Sequence, residues 1–230
     1  MSITKIEYEQ RRHIFDFCAW INEKMVELEN EPNFDEIYFE RKNPFVKKLI
    51  EESVPISYFG LYLFKTRKDI FVTCKSGNQN YDGLIEIGGF HQNEEIKVEV
   101  CVTEDDESTM RRQALSRKGI VHFTGTVRRN KREIITEPEM VDIEIESKKI
   151  IDLAFARFES KVNHGYDSQT AILVYITAYR PLGHRHRVEL LERAKQYLLS
   201  RQPSIYGVYF CYLADLGIDG LRNKLSELVQ

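Results

Sequence analysis

Residues 171–176, AILVYI, are almost continuously apolar. Side chains of a strand alternate between two faces, so an all-apolar strand must be covered on both. Such a strand belongs at the centre of a sheet with helices on either side, which makes the chain an α/β protein. Its 230 residues can bury a sizeable core, and 42% hydrophobic with 30% charged residues is a globular composition.

The flanking patterns supply the other layers. Residues 5–29 place Ile6, Ile14, Phe17, Cys18, Ile21, Met25 and Leu28 on one stripe, predicting a long amphipathic helix broken by NEPN. Pro44 opens a second helix, PFVKKLIEES. SYFGLYLF (57–64) and IFVTC (70–74) are rich in aromatic and β-branched residues and predict strands. A helix is expected after Thr103, its acidic first turn (TEDDE) suiting the macrodipole and Gly119 ending it. VHFTGTV and EIIT, joined by RRNKR, predict an added hairpin, and 141–145 a further strand. Ser147 then caps a helix with Ile150, Ile151, Leu153, Ala154, Phe155, Phe158 and Val162 as its buried stripe. A helix at 188–199, a strand at 205–213 and a helix at 220–229 close the chain. The expectation is one domain over 1–230: a helical region (1–47), a core (48–176) and a helix–strand–helix extension (177–230), built on a mixed central sheet flanked by helices.

The stretch YDGLIEIGGFHQNEEIKVEVCVTED (81–105) carries the chemistry. Folded symmetrically about 88–95, it pairs Tyr81 with Val102, Gly83 with Val100, Ile85 with Val98 and Ile87 with Ile96, an apolar face that must point inward. The other face carries Asp82, Glu86, Lys97, Glu99 and Cys101, with Asp82 and Glu99 as diagonal neighbours. Two carboxylates can converge on one hard cation, Mg²⁺ or Mn²⁺. With Lys97 on the same face, they form a kit for metal-assisted phosphodiester hydrolysis. The bland alternative is an ordinary cross-strand pair, Glu86 with Lys97, beside a turn aspartate.

Charge is segregated next to this hairpin. Residues 94–107 carry Glu94, Glu95, Glu99, Glu104, Asp105, Asp106 and Glu107 against Lys97 alone. Residues 108–132 carry Arg111, Arg112, Arg117, Lys118, Arg128, Arg129, Lys131 and Arg132 and no acid. A cation-rich helix and hairpin tip beside an acidic site is what holding a DNA backbone requires. The alternative is a helix dipole complemented by its last-turn cations and a solvated hairpin tip. The net charge of −3 excludes a uniformly basic nucleic-acid protein but not a local basic face.

A helix bearing Glu, a hairpin with Asp on its first arm and Glu-x-Lys on its second, then a helix and a buried strand: this order resembles the PD-(D/E)XK, restriction-endonuclease-like nuclease superfamily. The GNQNYDG…VEVC…TAILVY pattern is similar to a group of bacterial proteins associated with that fold, and the resemblance covers residues 48–176. It implies a restriction-endonuclease-like core and a metal-dependent nuclease, a hydrolase of DNA. By that resemblance Asp82 matches the metal-binding Asp, Glu99 the acid of the second strand, and Glu51 or Glu52 the helix Glu. Cys101 stands where the motif has Lys, with Lys97 as a displaced replacement. The competing expectation is a catalytically inactive scaffold that binds nucleic acid or protein, or a homodimer burying residues 128–132.

Other chemistries lack their residues. There is no CxxC, GxSxG, P-loop or GxGxxG, and the His184-x-His186 pair has no third ligand of zinc spacing. The first residues have no apolar signal core and no run reaches the roughly 18 apolar residues of a membrane span. The expectation is a cytoplasmic protein with reduced thiols and no membrane partner.

Overall fold

The computed structural model describes residues 2–65, 69–88, 94–122, 125–131, 133–178, 181–215 and 217–222. A seven-stranded mixed sheet runs in the order β1 (Arg12–His13), β2 (Ile70–Cys74), β3 (Gly83–Ile87), β4 (Glu94–Val102), β7 (Thr170–Ile176), β8 (Gly207–Tyr212) and β9 (Gly217–Arg222). The β4–β7 and β7–β8 ladders are parallel and the rest antiparallel. β7, fifth of the seven and interior to the sheet, is buried along its whole length, as its apolar run predicts.

Two cores sit on opposite faces. On one, α2 (Ile14–Glu29) and α5 (Val54–Phe64) bring Ile14, Phe17, Ile56 and Phe59 against Val72, Ile85, Val98, Val100 and Leu173. On the other, α7 (Ile143–Val162) and α8 (His184–Arg201) bring Ile151, Phe158, Leu190 and Leu198 against Ile172, Val174, Val208 and Phe210. The second core reaches β4 at Cys101 and includes no residue of β2 or β3. α6 (Asp106–Lys118) carries the separate hairpin β5 (Thr126–Asn130) and β6 (Glu133–Glu137) through a small cluster of Ala114, Val121, Val127 and Ile134. Among the described residues no helix is long and apolar enough to cross a membrane.

Several elements differ from expectation for identifiable reasons. The 5–29 stripe is divided: α1 (Lys5–Tyr8) is capped by Thr4, and Arg12 and His13 leave the helix to pair with Val72 and Phe71 on the open edge of β2. Ile6 is consequently exposed and Tyr8 buried. The 57–64 stretch is α-helical: Ile56, Phe59, Gly60 and Leu63 share the buried side at helical spacing, outweighing the β preference of its aromatics. Gly60 lets α2 cross closely, because a Cβ there would lie 2.4 Å from Ile14 Cδ1 and displace it. The 141–145 strand is the start of α7, with Asp142 capping in place of Ser147, which is buried further in. Asp105 caps α6 in place of Thr103, while Gly119 ends it in the left-handed conformation expected. The expected terminal helix is strand β9 as far as Arg222; its remainder lies outside the described residues.

The expected second helix is a three-part element. α4 (Pro44–Lys48), capped by Asn43, runs into a π-helical turn, Leu49–Ser53, and on into α5. Val54 N–H reaches back five residues to the Leu49 carbonyl. Pro55, lacking an N–H and crowding the carbonyl four residues earlier, breaks the regular ladder at that point.

Phe158 is fully buried, with its ring 6.3 Å from Phe210 and 5.4 Å from Tyr197. Phe158→Ala is expected to cost about 3–5 kcal/mol of unfolding free energy, read as a lower urea midpoint.

Candidate active site

The site grows out of the alternation along β4. Val98 and Val100 enter the α2/α5 core, so Glu99 and Cys101 face α7. The β3–β4 register is Gly83↔Val98, Ile85↔Ile96 and Ile87↔Glu94. This is two residues from the symmetric expectation, because β4 already begins at Glu94. A two-residue shift keeps every side chain on its expected face. Asp82, just ahead of β3, is pinned by three bonds: its N–H to the Val98 carbonyl (2.8 Å), its carbonyl from Lys75 N–H (2.8 Å), and its Oδ2 from Val100 N–H (2.8 Å).

The π-helical turn brings Glu51 and Glu52 to the same place, and the last turns of α7 bring Arg157, Ser160 and Lys161. Together with Asp82, Glu99 and Cys101 they line a cavity of about 310 Å³. Asp82, Glu99 and the helix glutamates, read from separate parts of the sequence, therefore meet in one cleft. A wider, shallower groove of about 640 Å³ between α7 and α8 lies elsewhere, with Arg193 stacked on Phe155 and ion-paired to Asp152.

The two glutamates have different surroundings. Glu51 pairs with Arg41 Nη1 at 2.8 Å. Glu52 accepts from Lys48 Nζ at 2.9 and 3.0 Å and from the Tyr8 hydroxyl at 3.3 Å. Burial pushes the Glu52 carboxyl above its ordinary range, and Lys48 and Tyr8 only partly offset this. Asp82 is pushed up to about 7, by burial first and then by the charges of Glu52 and Glu99; Val100 N–H and Lys48 work against the rise. Glu52 is thus the helix acid that acts on Asp82.

Glu99 is buried and paired with Lys161. Burial alone would lower the Lys161 ammonium, but Glu99 outweighs it and the pKa is raised. Tyr166, in the loop after α7, is also raised, by burial and then by Glu99. The Cys101 thiol is pushed up to about 12 by burial and is an inert neighbour of Lys161.

Lys97 does not line the cavity. It shares the face of Glu99, but its Nζ is exposed and bound to Asp167 at 2.5 Å. The lysine beside the carboxylates is Lys161. Its trace in the sequence is positional: it adjoins Val162, the last residue of the α7 stripe, and so flanks the face that packs on the sheet.

The basic stretch is largely engaged within the fold. Arg112 is buried, bound to Glu104 at 2.8 Å and to the Phe39 carbonyl, and fastens α6 to α3 (Phe34–Glu40). Arg111 donates to the carbonyls of His122 and Gly125, and Arg117 pairs with Glu40 at 3.5 Å. Lys118 contacts Glu133 at 3.2 Å, Arg128 contacts Glu137 at 2.8 Å, and Arg129 contacts Gln113 at 2.8 Å. Lys131 is exposed at the hairpin turn, and Arg132 lies outside the described residues.

Carboxylate oxygens suit Mg²⁺ or Mn²⁺ in kind. Among the described residues no three or more His, Cys, Asp or Glu side chains are grouped to hold a metal ion. Glu52 and Glu99 are turned onto Lys48 and Lys161 instead. Mg²⁺ commonly takes only one or two carboxylates and keeps several waters, so the fit rests on Asp82 and Glu99.

No family model matches the chain, and neither a curated protein nor a solved structure matches it.

The raised Asp82 pKa has a definite sign. A carboxyl whose folded pKa lies near 7 and whose unfolded pKa lies near 3.8 binds more protons when folded, so stability falls as pH rises between those values. Asp82→Asn keeps the acceptor for Val100 N–H and removes the charge. It is expected to raise the thermal midpoint at pH 8 by a few °C, corresponding to about 1–2 kcal/mol. The gain should vanish below pH 4, and scanning calorimetry at the two pH values checks it.

Proposed function

We propose that the cleft is the active site of a metal-dependent nuclease of the PD-(D/E)XK type that hydrolyses DNA phosphodiester bonds. The observation that carries this reading is the meeting of Asp82, Glu99 and Glu52 in one cavity with Lys161, where burial first, and then the charges of Glu52 and Glu99, raise the Asp82 carboxyl toward neutral pH. Opposed like charges in a cleft, with a cation beside them, mark a site built to bind something rather than to hold the fold together.

Asp82 and Glu99 would hold Mg²⁺ or Mn²⁺, and Glu52 completes the acidic wall. The ion, when bound, polarises the phosphoryl oxygen and lowers the pKa of a water. Asp82 must be ionised for this, and Glu99 must release Lys161, whose ammonium is then free to face the charge that develops on the phosphate. Arg157 stands at the wall and Lys48 behind it on Glu52, where cations attract a polyanion. Lys131, with Arg128 and Arg129 after exchange of their internal partners, would grip the backbone further out.

A second reading, a non-catalytic scaffold that binds nucleic acid or a protein, is favoured by one observation. Glu52 and Glu99 are already neutralised by lysines, with Cys101 in place of a strand lysine. It entails salt-sensitive DNA binding without turnover, or a homodimer burying the β5–β6 turn.

Cleavage of single- and double-stranded DNA in Mg²⁺ or Mn²⁺ distinguishes the two. Wild type is expected to cut, with Lys161→Ala slower by about 100-fold or more. Asp82→Ala and Glu99→Ala should lose at least as much, and Lys97→Ala should stay within about twofold, as an exposed ion pair would. Metal-dependent cutting that survives both carboxylate substitutions would sink the assignment.

A further inference from the structure

A chain of polar groups runs from the core to the cleft. Tyr8, Ser53 and Cys74 are fully buried and come from α1, the π-helical turn and the end of β2. Cys74 Sγ lies 3.4 Å from Ser53 Oγ, Ser53 Oγ lies 3.3 Å from the Tyr8 hydroxyl, and that hydroxyl lies 3.3 Å from Glu52 Oε2.

The direction of this chain follows from proton counting. An ionised carboxylate only accepts, so the single Tyr8 hydroxyl proton goes to Glu52. The Tyr8 oxygen then accepts from Ser53, whose one proton is thereby used. Ser53 Oγ in turn accepts from the Cys74 thiol. Every donor is aimed at the cleft. The Tyr8 ring is held in place by Trp20 (6.3 Å, edge-on) and Phe45 (5.6 Å), while Arg12 covers Trp20 and donates to the Glu7 carbonyl at 2.8 Å. Lys48 supplies Glu52 with charge as a point cation on a long flexible stem; the phenol ring is packed between aromatics and gives its donor a fixed direction.

We propose that Tyr8 is a positioning residue whose hydroxyl, oriented by Ser53 and Cys74, donates to Glu52 and fixes that carboxylate toward the cleft. The N-terminal helix thus belongs to the site although it lies well outside the stretch that carries the hairpin. Its catalytic consequence rests on the nuclease reading; the hydrogen-bond relay does not.

The test is ¹³C NMR titration of the side-chain carboxyls of the full chain, as wild type, Tyr8→Phe and Ser53→Ala. A donor to the charged form lowers a carboxyl pKa, so its removal raises it. Tyr8→Phe is expected to move the Glu52 titration to higher pH by about half a pH unit or more. Ser53→Ala should move it the same way by less, and both variants should stay folded by circular dichroism. In the cleavage assay, Tyr8→Phe should shift the acid limb of the pH–rate profile upward and leave KM unchanged. A Glu52 titration that is unmoved in folded Tyr8→Phe overturns the relay. A moved titration in a protein that cuts no DNA upholds the relay and overturns the nuclease reading.

Discussion

Strand β4 has to satisfy two ladders at once, antiparallel to β3 on one edge and parallel to β7 on the other. Its two faces also serve different cores, with Val98 and Val100 on one and Cys101 on the other. Backbone pairing leaves no freedom to slide by one residue, since that would exchange the faces. Glu99 is therefore held facing α7, at the edge of a core that does not extend to β3. The cleft is the gap left at that edge, walled by the carboxylates that the strand, the β3 entry and the π-helical turn deliver to it.

Gathering acids in this gap is unfavourable for the folded chain. Burial and then mutual repulsion raise the Asp82 carboxyl far above its ordinary range, and the compensation is local: a backbone N–H for Asp82, Lys48 for Glu52, Lys161 for Glu99. A fold under pressure only to be stable would replace such a set with apolar side chains of similar volume. Retaining it is consistent with a site that gives up stability for binding. The buried hydrogen-bond relay through Tyr8 has the same character, because three polar groups in an apolar layer are tolerated only when each is satisfied.

Where side-chain periodicity was unambiguous, the sequence was a good guide. The run at 171–176 marks a strand interior to the sheet and covered on both faces, and two-residue alternation places Asp82 and Glu99 on one face although the register differs by two residues. Periodicity failed where composition and geometry compete. SYFGLYLF is apolar on nearly every side, so strand and helix differ only in which residues face the core, and α2 decides that. The lysine that lines the cleft is not legible for a related reason. Lys97 and Lys161 both qualify by residue type, and only tertiary packing sends one to Asp167 and the other to Glu99. Likewise, the cations of 108–132 looked free because their partners, among them Glu40, Glu104 and backbone carbonyls, lie on elements whose contacts linear order does not reveal.

The wide turn ahead of Pro55 holds one residue more than an α-helix can wind into that length. Such a turn has the form of a single-residue insertion absorbed without a loop. Removing one residue there would restore regular winding and turn α4 by about 100° relative to α5. Glu52 would then swing out of phase with the sheet while the hydrophobic side of α5 stayed in place. Because Pro55 has no N–H to offer, the extra residue cannot migrate past it into α5. The helix phase, and with it the choice of which side chain faces the cleft, is thus set by chain length at one point. A homologous chain one residue shorter between Asn43 and Pro55 would be expected to share the fold and lose Glu52 from the cleft while keeping Asp82 and Glu99.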